Sequence, residues 1–175
     1  DFFNDPEAYD KQQELKAMAI AADAVIGFAG RHAEKAGEMA AVEPDARRKA
    51  ELERIAAVCR RVPAYAPRDF WEALQSYWFV HLGVITELNG WDSFSPGRLD
   101  QHLYPFYKQG IAPEAAKELL GCFWVKFNNQ PAPPKVGVTA AESGTYTDFA
   151  NINSGGLAAD GSSGVNDVTW LVLEV

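Results

Sequence analysis

The sequence predicts a mostly α-helical chain whose apolar core is interrupted by two polar segments. Apolar residues recur at helical spacing along several stretches, and proline, aspartate or asparagine stands where many of them begin. Residues 87–101 and 142–156 are instead dense in short hydrogen-bonding side chains. A chain of 175 residues that is 47% hydrophobic can fill a sizeable core, so we expect one compact unit. The two polar segments suggest one enclosed pocket.

The first two helices are expected to form a hairpin. Asp5, Pro6 and Glu7 supply an N-cap, a proline and an acidic first turn, and the helix continues to about Ala41. Glu43-Pro44-Asp45 breaks this helix, and a second one is predicted over 46–62. The predicted apolar stripe of the first helix comprises Leu15, Met18, Ala19, Ala22, Val25 and Ile26. That of the second comprises Leu52, Ile55, Ala56 and Cys59.

Further helices are predicted in the remainder of the chain. One opens at Arg68-Asp69 and carries so many large apolar groups that we expect deep burial, with His81 as a core histidine bonded to a carbonyl. Two shorter helices are predicted over 98–109 and over about 113–127. Asn166 is a plausible cap for the last segment, 167–175, which fits a helix or a buried strand equally well.

Charge and cysteine content narrow the class of partner. The net charge is −8 and the basic residues are dispersed, which argues against nucleic acid and against an anionic membrane surface. The longest apolar run, 77–85, is too short to span a bilayer. Cys59 and Cys122 have no second cysteine or histidine at metal spacing, which predicts two reduced, buried thiols in a cytoplasmic protein and no metal site. A small-molecule ligand is expected.

The two polar segments contain the candidate binding residues. Trp91 and Asp92 lie in the first segment, and Ser143, Thr145, Asp148 and Phe149 lie in the second. Short polar groups can hold a zwitterionic or hydroxylated substrate while the aromatic rings exclude water. For each residue singly, a turn or a helix cap is the competing interpretation. The glycine-rich stretch 154–164 lacks the signatures of a phosphate-binding loop and is interpreted as an ordinary loop.

Over essentially its whole length the sequence resembles the glycyl radical enzymes of the pyruvate formate-lyase (PFL) superfamily. The similarity rests on YWFVHLGVITELNGWDSFSPGRLDQHLYPFY, FWVKFNNQPAPPKVGVT, ESGTYTDFANINSGG and DGSSGVNDV, and it is strongest for the trans-4-hydroxy-L-proline dehydratase branch. The resemblance implies an α/β fold, a ten-stranded α/β barrel surrounded by helices. Residues 1–175 would be part of one PFL domain and would supply a mostly α-helical part of it.

The resemblance also implies radical chemistry on a small substrate. In the family, a partner activase that uses S-adenosylmethionine and an iron-sulfur cluster installs a radical on a glycine. The radical passes to a cysteine, and the resulting thiyl takes a hydrogen atom from the substrate. In this branch, trans-4-hydroxy-L-proline then loses water to give 1-pyrroline-5-carboxylate. A cytoplasmic, homodimeric lyase of anaerobic metabolism with no other bound cofactor is implied.

Matched position by position with that branch, the candidate residues fall on its substrate pocket. Asp92, beside Trp91, falls on the acidic pocket position, and Ser143 and Asp148 fall on positions of polar contact with hydroxyproline. Phe149 falls on the apolar wall. The carboxylates can hold a ring ammonium, while the Ser143 hydroxyl favours the substrate carboxylate. Diol dehydratases of the superfamily place histidine and serine at positions 91 and 92, and sulfonate lyases tend to place tryptophan at 149.

The family's cysteine motif and radical-glycine motif are absent from residues 1–175, and neither Cys59 nor Cys122 has the matching context. The resemblance therefore predicts that this chain is an internal fragment that is inactive alone. The abrupt ends, at Asp1 and within an apolar run at Val175, agree with that expectation.

Two other interpretations stay open. The parent protein could be another PFL-family enzyme: a formate C-acetyltransferase, a diol dehydratase, a sulfonate lyase or an arylacetate decarboxylase. Two adjacent cysteines in its cysteine loop would indicate acyl transfer, whereas a single cysteine followed two residues later by glutamate would indicate elimination. A stand-alone helical binding module without catalysis is the third interpretation.

Overall fold

The computed structural model describes residues 5–87, 95–129 and 151–175, and these residues are mostly helical, as predicted. Its elements in chain order are α1 (Ala8–Val42), α2 (Ala46–Arg61), α3 (Phe70–Glu87), β1 (Gly97–Arg98), α4 (Leu99–Tyr107), α5 (Pro113–Asn129), β2 (Ile152–Asn153) and α6 (Asp167–Glu174). The chain forms two compact units, Asp1–Ala64 and Tyr65–Val175. The expectation of one compact unit is wrong, because α1 and α2 bury their small side chains in a hairpin while α3 to α6 share a separate core.

The first unit is the predicted helical hairpin. The link 43–45 ends at Asp45, whose Oδ1 accepts a hydrogen bond of 3.1 Å from the Arg47 amide and so caps α2. The buried residues of α1 are all alanines spaced three or four apart, Ala29, Ala33, Ala36 and Ala40. Those of α2 are Leu52, Ala56, Val58 and Cys59. Small side chains on one helix allow close helix packing, so the hairpin needs few large residues.

The apolar stripe predicted for α1 is not the one that is buried. Leu15 and Met18 are each 66% exposed in this chain. With a rise of about 1.5 Å per residue, α1 is about 52 Å long and α2 is only about 24 Å long. Because α2 returns from the C-terminal end of α1, it covers only the half that contains the alanines.

The second unit has one hydrophobic core to which α3, α4, α5 and α6 all contribute. Its buried members are Phe70, Ala73, Leu74, Leu99, Leu103, Ala116, Leu120, Phe123, Val168, Leu171 and Val172. None of the helices in the described ranges combines the length and the apolar character that crossing a bilayer requires.

Helix α3 begins directly after Arg68 and Asp69, as predicted, and both residues are hydrogen-bonded to a buried glutamate, Glu72. Asp69 Oδ1 accepts from the Glu72 amide at 2.8 Å. Glu72 is completely buried, and its carboxylate lies 2.6 Å from Arg68 Nη2 and 2.8 Å from the Arg68 amide. These charge-assisted bonds offset the desolvation of the carboxylate, so this turn of the helix is held by its own side chains.

The last segment is a helix rather than a strand because its first turn is capped reciprocally. Asn166 Oδ1 accepts from the Val168 amide at 2.9 Å, and Thr169 Oγ1 accepts from the Asn166 amide at 2.9 Å. This capping box satisfies amides that have no partner inside the helix.

The two cysteines differ in environment, so the prediction of two buried thiols is only half right. Cys59 is buried in the hairpin, and desolvation raises the pKa of its thiol to about 11. Cys122 is exposed on α5. The core-facing residues of α5 are Ala116, Leu120 and Phe123, and the helical repeat turns position 122 away from that face.

His81 is buried in the core, as predicted, with an exposure of 2%, whereas its bond to a carbonyl stays a prediction. Its ring stacks on Trp78 with a centroid separation of 5.5 Å, and it lies 4.9 Å from the Phe127 ring. Nδ1 lies 3.2 Å from the Tyr77 hydroxyl. Removal from water lowers the pKa of His81 from 6.5 to about 4, so the imidazole is neutral at neutral pH.

Acidification should therefore destabilise the second unit through His81. Between pH 6.5 and 4 the unfolded chain binds a proton at His81 that the folded chain does not. The contribution of His81 to the free energy of unfolding is therefore complete above pH 6.5 and is lost as the pH decreases toward 4. The slope is about 1.4 kcal/mol per pH unit. Denaturant unfolding is compared for the wild type and for His81→Leu, which cannot titrate at this position. Below pH 6.5 the free energy of unfolding of the wild type should fall, relative to that of His81→Leu, by about 1.4 kcal/mol per pH unit. A difference that stays constant from pH 7 to pH 4.5 contradicts the assignment.

Candidate functional site

Two short parallel strands bring the two polar segments together. Gly97 of β1 pairs with Ile152 of β2, and Arg98 pairs with Asn153. Just before this pairing, Ser95 Oγ accepts a hydrogen bond of 3.1 Å from the Asn151 amide. The end of the first polar segment thus lies beside the end of the second, as the suggestion of a single pocket requires.

A buried aspartate joins these strands to the helical core. Asp100, in the first turn of α4, has no exposed surface. Its Oδ2 accepts from the Gly155 amide at 2.6 Å and from the Thr169 hydroxyl at 2.5 Å, and its Oδ1 accepts from the Gln101 amide at 2.8 Å. We call these four residues the Asp100 cluster. It ties the start of α4, the chain after β2 and the first turn of α6 to one side chain.

Gln101 and Arg98 hold the loop that follows Gly155. Gln101 Nε2 donates to the Gly155 carbonyl at 2.6 Å and to the Leu157 carbonyl at 3.3 Å, and Arg98 Nη1 donates to the same Leu157 carbonyl. A cavity of about 550 Å³ is lined by Arg98, Gln101, His102, Leu157, Ala158 and Ala159. Two of its polar side chains are therefore already bonded to the loop that forms its wall.

Glycine is required where this loop approaches the strand. Gly155 and Gly156 have φ angles of +66° and +79°, which side-chain-bearing residues rarely adopt. A Cβ on Gly156 would lie 3.0 Å from Cζ of Arg98. The stretch interpreted as an ordinary loop is thus a tight turn whose Gly155 amide binds an internal carboxylate.

The residues predicted to bind substrate, Trp91, Asp92, Ser143, Asp148 and Phe149, lie outside the described residues. The described structure instead contains the segments that flank them. Thr145, in the same second segment, also lies outside.

Sequence reasoning missed Asp100, Gln101 and Thr169. Asp100 stands in the first turn of a helix, where aspartate is common because it favours the helix dipole, so its identity alone indicated no special role. Thr169 lies within an apolar run, where a single threonine indicates no special role. A specific signal would have required knowing that α4, the Gly155 turn and α6 meet.

Within residues 5–87, 95–129 and 151–175, no group of three or more His, Cys, Asp or Glu side chains could hold a metal ion. Among the buried titratable side chains of this part, Cys59 lies on α2, Glu72 and His81 lie on α3, and Asp100 lies on α4.

Comparison with known proteins identifies the family. A family model described as pyruvate formate lyase-like matches residues 1–175. The chain belongs to this family. The resemblance noted from the sequence is confirmed, and the mostly helical chain corresponds to part of the larger fold of these enzymes.

Two curated relatives illustrate the range of similarity. The chain is 56% identical over 180 aligned residues to trans-4-hydroxy-L-proline dehydratase of Clostridioides difficile, which covers 100% of this chain and 23% of that protein. It is 39% identical over 173 residues to isethionate sulfite-lyase of Desulfovibrio desulfuricans, which covers 94% of this chain and 20% of that protein.

Solved structures show the same order of similarity. The crystal structure of hydroxyproline dehydratase from Clostridioides difficile with trans-4-hydroxy-L-proline bound matches with a TM-score of 0.90 at 56% identity, over 99% of this chain and 23% of that chain. The glycerol-bound B12-independent glycerol dehydratase from Clostridium butyricum matches with a TM-score of 0.85 at 35% identity, over 98% and 22%. The chain therefore spans less than a quarter of the length of these relatives.

The contact between Gly156 and Arg98 can be tested with a matched pair of glycine substitutions. Gly156→Ala and Gly161→Ala incur the same left-handed backbone penalty, because φ is +79° and +83°, but only position 156 faces a neighbour within 4 Å. We expect Gly156→Ala to lower the free energy of unfolding by up to about 1 kcal/mol more than Gly161→Ala, because the Arg98 guanidinium must shift and so weaken its bond to Leu157. Denaturant titration measures both, and equal losses would contradict the proposed close contact.

Proposed function

We propose that the protein containing this chain is a glycyl radical lyase that dehydrates trans-4-hydroxy-L-proline to 1-pyrroline-5-carboxylate. The observation that carries the proposal is 56% identity, across the whole chain, to a relative named for that substrate, against 39% for a sulfite-lyase. A solved relative with trans-4-hydroxy-L-proline bound has a TM-score of 0.90 to this chain. Diol-dehydrating relatives match less well in both respects.

We propose that Trp91, Asp92, Ser143, Asp148 and Phe149 line one substrate pocket. The proposal is supported by the pairing of the flanking segments, since Ser95 and Asn151 are hydrogen-bonded to each other. Asp92 precedes Ser95 by three residues, and Asp148 precedes Asn151 by three. A chain extends at most about 3.6 Å per residue, so the Cα atom of each aspartate can be no farther than about 11 Å from the Cα atom of the residue that makes that contact.

The proposed residues have complementary roles toward a cyclic amino acid. Asp92 and Asp148 offer carboxylates that can pair with the ring ammonium, and Ser143 offers a hydroxyl donor to the substrate carboxylate. Trp91 and Phe149 supply apolar walls that exclude water and so strengthen each polar contact. Polar recognition of this kind rejects diols and sulfonates, because they would leave buried charges unpaired.

The chemical step needs groups beyond residues 1–175. Relatives of this chain include a 4-hydroxyphenylacetate decarboxylase glycyl radical subunit, and the family membership implies a glycyl radical here as well. We propose that the radical glycine and the reactive cysteine lie elsewhere in the longer polypeptide, so that residues 1–175 contribute part of one PFL domain. The radical supplies hydrogen-atom abstraction, while this chain holds and orients the ring. A radical S-adenosylmethionine activase, a homodimeric assembly and a cytoplasmic location complete the proposal.

Activity should depend on the two proposed carboxylates. The full-length protein, activated by its activase without oxygen, should convert trans-4-hydroxy-L-proline to 1-pyrroline-5-carboxylate, as followed by mass spectrometry. Asp92→Asn and Asp148→Asn should each lower kcat/KM by about 30-fold or more, because a hydrogen-bonded ion pair contributes about 2 kcal/mol or more. Asp160→Asn, at an exposed loop aspartate, is the control and should keep wild-type activity.

Other substrates separate the competing enzymes. Isethionate, glycerol and pyruvate with coenzyme A are offered to the same activated protein. Turnover of any of these without turnover of hydroxyproline would falsify the proposed substrate and assign the protein to another activity of the family.

A further inference from the structure

We propose that Asp100 is a positioning residue that sets the separation of the two polar segments and thereby the geometry of the substrate pocket. The inference rests on the proposed function, because it concerns the residues assigned there to substrate binding. Asp100 itself is not assigned any contact with substrate. Its action is through the segments that it holds.

The hydrogen bonds of Asp100 reach two distant parts of the chain. Gly155 is 55 positions from Asp100, and Thr169 is 69 positions away. The strand before Asp100 continues the segment that contains Asp92, and the strand before Gly155 continues the segment that contains Asp148. One carboxylate therefore couples both segments to α6 of the helical core.

The hydrogen bonds around Asp100 all run in one direction, toward its carboxylate. The Asn166 amide donates to Thr169 Oγ1 at 2.9 Å, and the Thr169 hydroxyl donates onward to Asp100 Oδ2. The Gly155 amide donates to the same oxygen, and the Gln101 amide donates to Oδ1. Every described partner is a donor, so the position requires a group that only accepts. An asparagine would turn its amide toward at least one donor whichever way it is oriented.

Burial makes these hydrogen bonds necessary. A carboxylate with no exposed surface is expensive unless its lone pairs are used, and here the described partners are three neutral donors. Bonds of 2.5–2.8 Å to an ionised acceptor are the strong, geometrically selective kind. Such a group favours one arrangement of three chain segments over neighbouring ones, which is what a pocket built from two separate segments needs.

Gln101 makes a second connection between the same two segments. The Gln101 amide group reaches the carbonyls of Gly155 and Leu157, and an added Cβ on Gly164 would collide with the Gln101 side chain. The Gly155 peptide unit is thus held at its N–H by Asp100 and at its carbonyl by Gln101. Of these two hydrogen bonds, the one to Asp100 is the buried one.

The test uses Asp100→Asn in the full-length protein, with Asp160→Asn as a matched control. Asp160 also accepts from a backbone amide and a hydroxyl, both of Ser162, but it is exposed and joins residues only two apart. Thr169→Val, which removes the hydroxyl donor, is compared with Thr169→Ser, which keeps it. If Asp100→Asn does not fold, the Thr169 pair carries the test.

Two readouts are expected to move together. Hydrogen exchange of peptides covering 95–101 and 151–157 should be at least tenfold faster in Asp100→Asn and in Thr169→Val, and within twofold of wild type in Asp160→Asn and Thr169→Ser. Binding of trans-4-hydroxy-L-proline to the unactivated protein, by calorimetry, should weaken at least tenfold in the same two variants. In the activated enzyme, KM should rise by more than kcat falls.

The outcomes separate this inference from the proposed function. Faster exchange with weaker binding supports positioning. Unchanged exchange overturns it, and so does faster exchange with unaltered affinity, which assigns Asp100 to stability alone. A wild type that does not bind hydroxyproline defeats the proposed function, and the exchange comparison then decides by itself whether Asp100 holds the two segments.

Discussion

The buried carboxylate of Asp100 is the interaction on which the arrangement of the second unit depends. It accepts three hydrogen bonds within 2.5–2.8 Å, and two of their donors are more than fifty positions away in sequence. Without those donors, a carboxylate at this depth would carry its full desolvation cost. The β1–β2 pairing, the turn at Gly155 and the first turn of α6 therefore stabilise one another.

The turn around Gly155 and Gly156 serves this same carboxylate. Glycine-rich turns bind anions because their amides can converge on one point without side-chain interference. Here the anion is part of the chain, and the φ angles of +66° and +79° let the backbone approach Asp100 and Arg98 closely. A composition that superficially suggests phosphate binding is explained by an internal acceptor.

Packing in the two units follows different rules. In the hairpin of α1 and α2, the buried face of α1 consists of alanines. The part of α1 that is covered is therefore set by the length of α2, the shorter helix, rather than by the hydrophobicity of α1. The second unit closes over large aliphatic and aromatic groups, which enclose His81 and keep it neutral. The two polar segments proposed to bind substrate adjoin this second core where Ser95 and Asn151 are hydrogen-bonded, and a pocket with a defined geometry needs such support.

Local signals in the sequence determined the helices and their boundaries. The caps at Asp45, Asp69 and Asn166 act over two to three residues, and the helical repeat acts over one or two turns, so both are legible without the fold. The sequence also indicated the family and the radical chemistry that the family implies, because four long segments resemble those of the PFL superfamily. Tertiary structure alone decided that Leu15 and Met18 are exposed, that Cys122 faces outward and that Asp100 binds the Gly155 amide and the Thr169 hydroxyl. Each of these depends on which distant segment of the chain covers a residue or bonds to it. A local sequence pattern does not indicate which distant segments will be in contact.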